Sequence, residues 1–383
     1  MTISRRDFLW SGASVVAAGA TVPAILMGAN SAGRSARQRV LVVVELNGGN
    51  DAINTIIPIN SPHYAAARPT LAIPRSDALM LARGVALHPA MTEMHELFRA
   101  GQLAVIQGVG YPNPSRSHFR SMEIWHRGDL SPDASTGWLG RHCQSALSGT
   151  AMIHCGTDLP ELFKATNVPA IGLSAAADLD PFDRSENAVA INNLVLTPTQ
   201  RGQTSFTSAS RSLHTVLKAQ RTQASYPSGR FGDGLAAFAR MIVANAGPRF
   251  YHIGLAGFDT HARQADLHAA LLAKLSSGIG GFLGDLRSHH RDRDVLVMVF
   301  SEFGRRLREN SSAGTDHGSA GVMFFAGAPI RGGLYGRHPS LTDLDDGDLK
   351  YTTDFRDCYA TVLRGWLESP CDLPTTKRGV QFV

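Results

Sequence analysis

A chain that repeatedly writes short apolar runs without regular alternation, and breaks each with carboxylates, imidazoles or glycines, has few folds open to it. Six such runs occur: Arg39 to Leu46 (RVLVVVEL), Leu103 to Gly110 (LAVIQGVG), Val168 to Ser174 (VPAIGLS), Arg249 to Gly257 (RFYHIGLAG), Val295 to Phe300 (VLVMVF) and Gly321 to Gly327 (GVMFFAG). Each reads as a strand buried on both faces. Between them lie helical patterns: His88 to Ala100, with Met91, Met94, Leu97 and Phe98 on one face, then Asp233 to Gly247, then His261 to Arg287. Gly247 reads as the stop of the second. Buried strands alternating with amphipathic helices predict an α/β fold, an open and mostly parallel sheet with helices on both faces.

The 383 residues hold one large or two ordinary domains, and 43% apolar against 18% charged residues fits a folded globular chain. Without an internal repeat or interdomain linker, 37–383 reads as a single domain. Ala175 to Gln223, rich in Ser, Thr, Asn and Gln, reads as a polar insertion or cap that ends in a helix near Ser210 to Gln220. The net charge of +5 is modest, and the basic residues form no aromatic-basic stripe, which argues against nucleic acid as partner. Cys143, Cys155, Cys358 and Cys371 form no C-x-x-C, which argues against a thiolate zinc site. Their two close pairs permit disulfides as readily as buried thiols.

Residues 1–36 read as an address. Arg5-Arg6 precede a weakly apolar stretch rich in Gly, Ala and Ser, the pattern of a bacterial twin-arginine export signal. The alternative is a membrane anchor, for which Gly, Ser, Thr and Pro23 leave the segment only mildly apolar. Export implies the twin-arginine translocase as a transient partner and a periplasmic or secreted destination. That route carries folded proteins, often with a cofactor already inserted, so it raises the expectation of a bound metal.

In open parallel sheets ligands bind beyond the carboxyl ends of the strands. After the first run come Glu45, Asn47, Asn50 and Asp51; after the second, Ser115, Arg116, Ser117, His118 and Glu123. Asp259 and His261 follow the fourth, Glu302 follows the fifth, and Asp316 and His317 precede the sixth. Taken singly, each cluster has a plainer reading. Asp259 can cap the next helix, Thr315-Asp316-His317-Gly318 can be a hairpin turn, and Ser117-His118 can serve local turn bonding. Taken together on one rim, these groups would repel or desolvate one another unless a cation held them. Oxygen and nitrogen donors without thiolates suit Zn²⁺, Mn²⁺, Mg²⁺, Ca²⁺ or Fe. No G-x-G-x-x-G follows a strand, so a dinucleotide is not indicated.

The ordered set LNGGNDAINTIIP, SRSHFRSMEIW, GFDTHARQ, SEFGRR, GTDHG and DFRDCYATVLRGWL resembles the domain-of-unknown-function family numbered 1501. Those exported bacterial proteins are distantly similar to the alkaline phosphatase and sulfatase superfamily. The resemblance runs from Arg39 to Trp366. It implies a three-layer αβα sandwich with one or two divalent ions at the carboxyl edge of the sheet, held by Asp and His beside a Ser, Thr or Cys nucleophile. Carried over, Glu45 or Asp51 stands for a first-strand ligand, and Asp259, His261, Glu302, Asp316 and His317 stand for the others. Ser117, or Ser115, stands near the nucleophile, with His118 beside it and Arg116 and Arg305 placed to stabilise charge. Two departures stand out. Phe303 follows Glu302 where relatives often place an imidazole, and NPSRSHF does not reproduce the sulfatase order that yields formylglycine. The resemblance thus implies an exported metal-dependent hydrolase of phosphate or sulfate esters, acting on a small molecule, glycan or lipid. The alternative is a catalytically degenerate, metal-stabilised envelope protein of the same fold that binds or assembles; a redox enzyme is a weaker third reading.

Overall fold

The computed structural model describes residues 39–146, 152–156, 158–166, 168, 170–173, 220–375 and 379–383. The expected export signal and nearly all of the expected polar insertion, with its expected helix, lie outside them. Nine strands form one sheet: β1 Val40–Asn47, β2 Leu103–Gly110, β3 Met152–Cys155, β4 Ala170–Leu173, β5 Phe250–Ala256, β6 Val295–Phe300, β7 Gly321–Ala326, β8 Gly333–Tyr335 and β9 Thr353–Asp354. Their order is β8-β2-β7-β6-β1-β5-β3-β4, with β9 also paired to β2. Every pairing is parallel except those of β7, which runs against both β2 and β6. That reversal matters for the site. It brings the start of β7, and the hairpin before it, to the edge where the other strands end.

Burial on both faces explains why the strand runs are so uniformly apolar. Along β1, Val40, Val42, Val44 and Leu46 pack on one side, against helices α1 (Thr92–Arg99), α4 (Arg230–Val243) and α5 (Gln264–Ser288). Leu41 and Val43 face the other layer, made by α2 (His118–Arg127), α3 (Trp138–Ala146) and α6 (Phe355–Thr361). The result is a three-layer αβα sandwich. Helix α1 starts at Thr92 instead of His88, because Pro89 intervenes and the His88 ring accepts from the amide of Ala90 at 3.1 Å. Helix α5 starts at Gln264, since Arg263 takes a left-handed conformation at φ 45°. Strands β3, β8 and β9 are too short to stand out in the sequence. All four cysteines are free thiols, Cys143, Cys155 and Cys358 buried and Cys371 half-buried. Among the described residues, no helix is long and apolar enough to cross a membrane.

Below the carboxyl edge sits a fully buried ion pair, Arg68 Nη1 to Asp51 Oδ2 at 2.5 Å. Arg68 also donates to the carbonyls of Arg306 and Leu307, so the pair anchors the turn after β1 to the hairpin Arg305–Glu309/Thr315–His317. Burial alone would raise the Asp51 carboxyl, but the adjacent guanidinium outweighs it and holds it below the ordinary range. Its contribution to stability is therefore present above ordinary carboxyl pH values and fades as pH falls through the lowered pKa. Arg68→Met leaves that carboxylate buried and unpaired, and should cost roughly 3–5 kcal/mol in chemical denaturation. Adding Asp51→Leu should recover much of the loss; a single-variant loss below about 1 kcal/mol would show that the pair does not anchor this edge.

Candidate metal centre at the carboxyl edge of the sheet

The turn after β1 shapes the floor of the site. Gly48 and Gly49 have φ of 117° and 75°, and a Cβ at either would strike the Asp259 amide or the Phe303 ring. Only glycine lets this turn pass so close. Its amides then fix β6: Gly48 N–H donates to Glu302 Oε1 at 2.9 Å, and Asn50 N–H to Ser301 Oγ at 2.9 Å. Glu302 thus points down into the turn, buried, and its outer task is one imidazole. His118 Nδ1 donates to Glu302 Oε1 at 2.8 Å.

Three chain segments meet above that floor. His118 comes from the first turn of α2, Asp259 and His261 from the loop after β5, and Asp316 and His317 from the hairpin before β7. His118, Asp259 and His317 present ligand atoms within 4.8 Å of one another. Around Asp259 Oδ1 the packing is tighter: His261 Nε2 and His317 Nε2 each lie 3.0 Å from it and 3.0 Å from each other. Hydrogen bonds can satisfy two edges of that triangle, because a proton placed on one edge faces a bare lone pair or another proton on the third. A cation satisfies all three. The outer nitrogens are tied back, His317 Nδ1 to the Arg116 carbonyl at 2.9 Å and His261 Nδ1 to Asp316 Oδ1 at 3.3 Å. That leaves both Nε2 lone pairs facing the centre, as expected of metal-binding histidines. The residues present therefore fit a divalent ion.

Charge follows the same plan. Burial would raise Asp259, but the bond from Arg305, with the neighbouring His317 and His261 rings, holds it at about 2. His118 moves the other way. Its bond to Glu302 raises it, burial opposes, and Asp259, 3.5 Å from Nε2, adds to the rise. His118 is an imidazole strung between two carboxylates. The Asn310 side chain leads in lowering Asp316.

The remaining sequence candidates fall elsewhere. Arg305 is fully buried and its three nitrogens serve the Gly48, Gly49, Phe258 and Thr315 carbonyls and Asp259; it positions Asp259 and has no fork left for a substrate. Glu302 orients His118. Asp51 is held by Arg68 and Gln264, inside the rim. Asp259 is no helix cap, since α5 begins five residues on. The Asp316-His317 hairpin is real and is also a wall of the site. Ser117 is the exposed N-cap of α2; Ser115 Oγ accepts from its amide at 3.3 Å. Arg116 binds Asp348 and lines a cavity of about 780 Å³ shared with Asn113, Ser319, Lys350 and Tyr351. Phe303, 1% exposed, lies 5.0 Å from the His118 ring and 4.8 Å from the His317 ring.

Glu45 does not reach the rim. It faces the α2 layer, where Oε2 meets His126 Nε2 at 2.6 Å and His252 Nε2 at 3.1 Å. Burial would raise its carboxyl, but His126 and His252 outweigh that and leave it strongly lowered. His126, His252 and His154 were not singled out by sequence reasoning. The available signal was a lone histidine inside each of two apolar strands, YHI in β5 and IHC in β3.

Residues 38–367 match the family described as "Protein of unknown function (DUF1501)"; the chain belongs to that family. A comparison with curated proteins returns no match. Among solved structures, the zinc complex of the C-terminal periplasmic domain of EcEptC from Escherichia coli is 10% identical, covers 91% of this chain and 94% of that one, and has a TM-score of 0.42. A protein in the alkaline phosphatase superfamily from Vibrio parahaemolyticus is 10% identical over 90% and 74%, TM-score 0.41. Murine ectonucleotide pyrophosphatase/phosphodiesterase 5, an inactive variant with AMP, is 11% identical over 88% and 97%, TM-score 0.42.

Because the Glu302 bond leads in raising His118, Glu302→Gln should lower the His118 pKa in metal-stripped protein, followed by NMR pH titration. A raised folded pKa contributes stability that is full below about 6.5 and is lost as pH rises through the folded value. The variant should lose that pH-dependent increment. An unchanged His118 titration would remove Glu302 from this role.

Proposed function

We propose that this member of the DUF1501 family is an exported, metal-dependent hydrolase of phosphate or sulfate esters. The observation that carries the reading is the Asp259–His261–His317 triangle with 3.0 Å edges, open to solvent at the carboxyl edge and next to a helix-capping serine. Asp259, His261 and His317 would hold the ion, with Asp316 and the Arg116 carbonyl orienting the two rings. When bound, a divalent ion supplies electrostatic stabilisation of the charge that develops on the ester's oxygens.

Ser117 supplies the attacking hydroxyl. It stands at the positive end of α2, where the helix dipole and free amides favour both an anionic substrate group and an ionising nucleophile. His118, with Nδ1–H on Glu302 and Nε2 toward Asp259, takes the Ser117 proton as the hydroxyl attacks and returns it to the leaving alcohol; water then cleaves the ester from Ser117 by the reverse transfer. Arg305 keeps Asp259 aimed, and Phe303 keeps water from beneath the rings. The cavity beyond Arg116 carries both charge signs, with Arg116, Lys350, Asp345 and Asp348, and Phe119 stands 89% exposed beside His118. That mixture suits the polar, partly apolar body of a glycan or lipid headgroup ester.

A second reading rests on Phe303: the set after β6 lacks the usual imidazole, which favours a binding or assembly protein that keeps the ion without turnover. Aryl phosphate, phosphodiester and aryl sulfate esters should distinguish the two. Activity should vanish with chelator and return with a divalent ion, and Asp259→Asn and Ser117→Ala should each lower kcat/KM by more than ~100-fold. Bound metal with no turnover on any ester class selects the binding reading. Protein that takes up no metal and whose stability ignores chelators removes both.

A further inference from the structure

A second donor group lies on the α2 side of the sheet, and the proposed hydrolysis does not use it. Glu45, His126, His252 and His154 are 5%, 7%, 2% and 7% exposed. They sit on a face otherwise built from Leu41, Val43, Met152, Phe250 and Phe300. Adjacent strands β1, β5 and β3 set them in register: Val43, His252 and His154 pair across, with Glu45 two residues on. His126 arrives from the last turn of α2.

We infer that Glu45, His126 and His252 form a second, enclosed metal site for a transition ion of the zinc type, with His154 as the outer partner of His252. A buried carboxylate needs one imidazolium to neutralise it; here two Nε2 atoms converge on the same oxygen and a third ring stands behind them. The 2.6 and 3.1 Å approaches are close to the roughly 3.3 Å that separates ligands in a tetrahedron with bonds of about 2.0–2.1 Å. The second tier is also built. His252 Nδ1 lies 2.9 Å from His154 Nδ1, and Asn47 Nδ2 donates to the free oxygen of Glu45. Metal-binding histidines are oriented in this way through their other nitrogen. Gly156 makes room for the outer ring, since a Cβ there would fall on the His154 imidazole. Two nitrogens and one carboxylate, with no thiolate, favour zinc-like ions over Mg²⁺ or Ca²⁺.

Loading frees both Nε2 lone pairs for the ion by moving each ring's proton to its Nδ1. The His252–His154 bond turns round at the same time, so that His252 Nδ1–H becomes the donor and His154 carries its own proton on Nε2. Such an ion would fasten α2 to strands β1 and β5, with β3 joined through His154, and α2 is the helix that presents Ser117 and His118.

The site is tested without the rim. Asp259→Asn/His317→Gln protein, produced in zinc-supplemented medium and dialysed against EDTA, should retain about one zinc per chain by mass spectrometry. A folded rim variant with less than about a tenth of an equivalent overturns the inference. Adding Glu45→Gln/His252→Gln should reduce the retained zinc at least about tenfold; unchanged content overturns it. Should that variant fail to fold, zinc-edge X-ray absorption of the rim variant decides. Imidazole nitrogen with carboxylate oxygen at about 2.0–2.1 Å supports the site, and an all-oxygen or sulfur shell overturns it. Because the rim is already disabled, none of these outcomes depends on whether the protein hydrolyses esters.

Discussion

Arg305 is the group on which the carboxyl edge depends. It is 1% exposed and cannot shed its proton at any accessible pH. A buried guanidinium must therefore find acceptors for its hydrogens, and this one finds them at all three nitrogens in segments far apart in sequence. The Gly48 and Gly49 carbonyls come from the turn after β1, Phe258 and Asp259 from the loop after β5, and Thr315 from its own hairpin. Three loops are fixed relative to one another by one charge. The same contacts decide what Arg305 cannot do: a fork already filled by carbonyls cannot also grip a substrate.

The carboxylates are graded by depth. Asp51 neutralises Arg68, Glu302 holds His118 and the turn, and Asp259 reaches the opening with its side chain 48% exposed, beside Asp316 at 57%. Each deeper acid is matched to a cation or to N–H donors, as burial demands. Asp259 is surrounded by three imidazoles, with its carboxyl held at about 2. A carboxylate with two Nε2 atoms 3.0 Å away is a donor set that suits a divalent cation. Phe303 supports this from below as an apolar floor under two of the rings.

Much of this was legible in the sequence, for physical reasons. β1, β2, β5, β6 and β7 are buried on both faces, so their runs lack alternation and their limits stand out. The rule that ligands gather at strand carboxyl ends then brought His118, Asp259, His261, Asp316 and His317 to one rim. What the sequence withheld was direction and adjacency. Nothing in NGGND says that Asp51 turns inward, because its partner Arg68 lies 17 residues away on another segment. Glu302 looks like a ligand until the amide of Gly48 is found beneath it. His126, His252 and His154 meet only because β5 lies between β1 and β3, and strand order is not written in any one run. A histidine inside an apolar strand was the visible trace, and it recurs on two neighbouring strands.

Helix α2 joins both donor groups. His118 opens it and His126 lies eight residues on, a rise of roughly 12 Å at 1.5 Å per residue. The helix is only ten residues long, too short to be stable by propensity alone. Its position comes from tertiary contacts: Ile124 and Trp125 pack into the core, and both its ends are gripped. At one end Glu302 holds His118, and Ser121 Oγ donates to the Glu302 carbonyl; at the other Glu45 holds His126. Glu45 and Glu302 sit at the ends of β1 and β6, which are neighbours in the sheet. A shift of β1 against β6 would therefore tilt α2 and move Ser117 relative to Asp259. The buried cluster is thus mechanically linked to the rim through one short rigid element, whatever ion either holds.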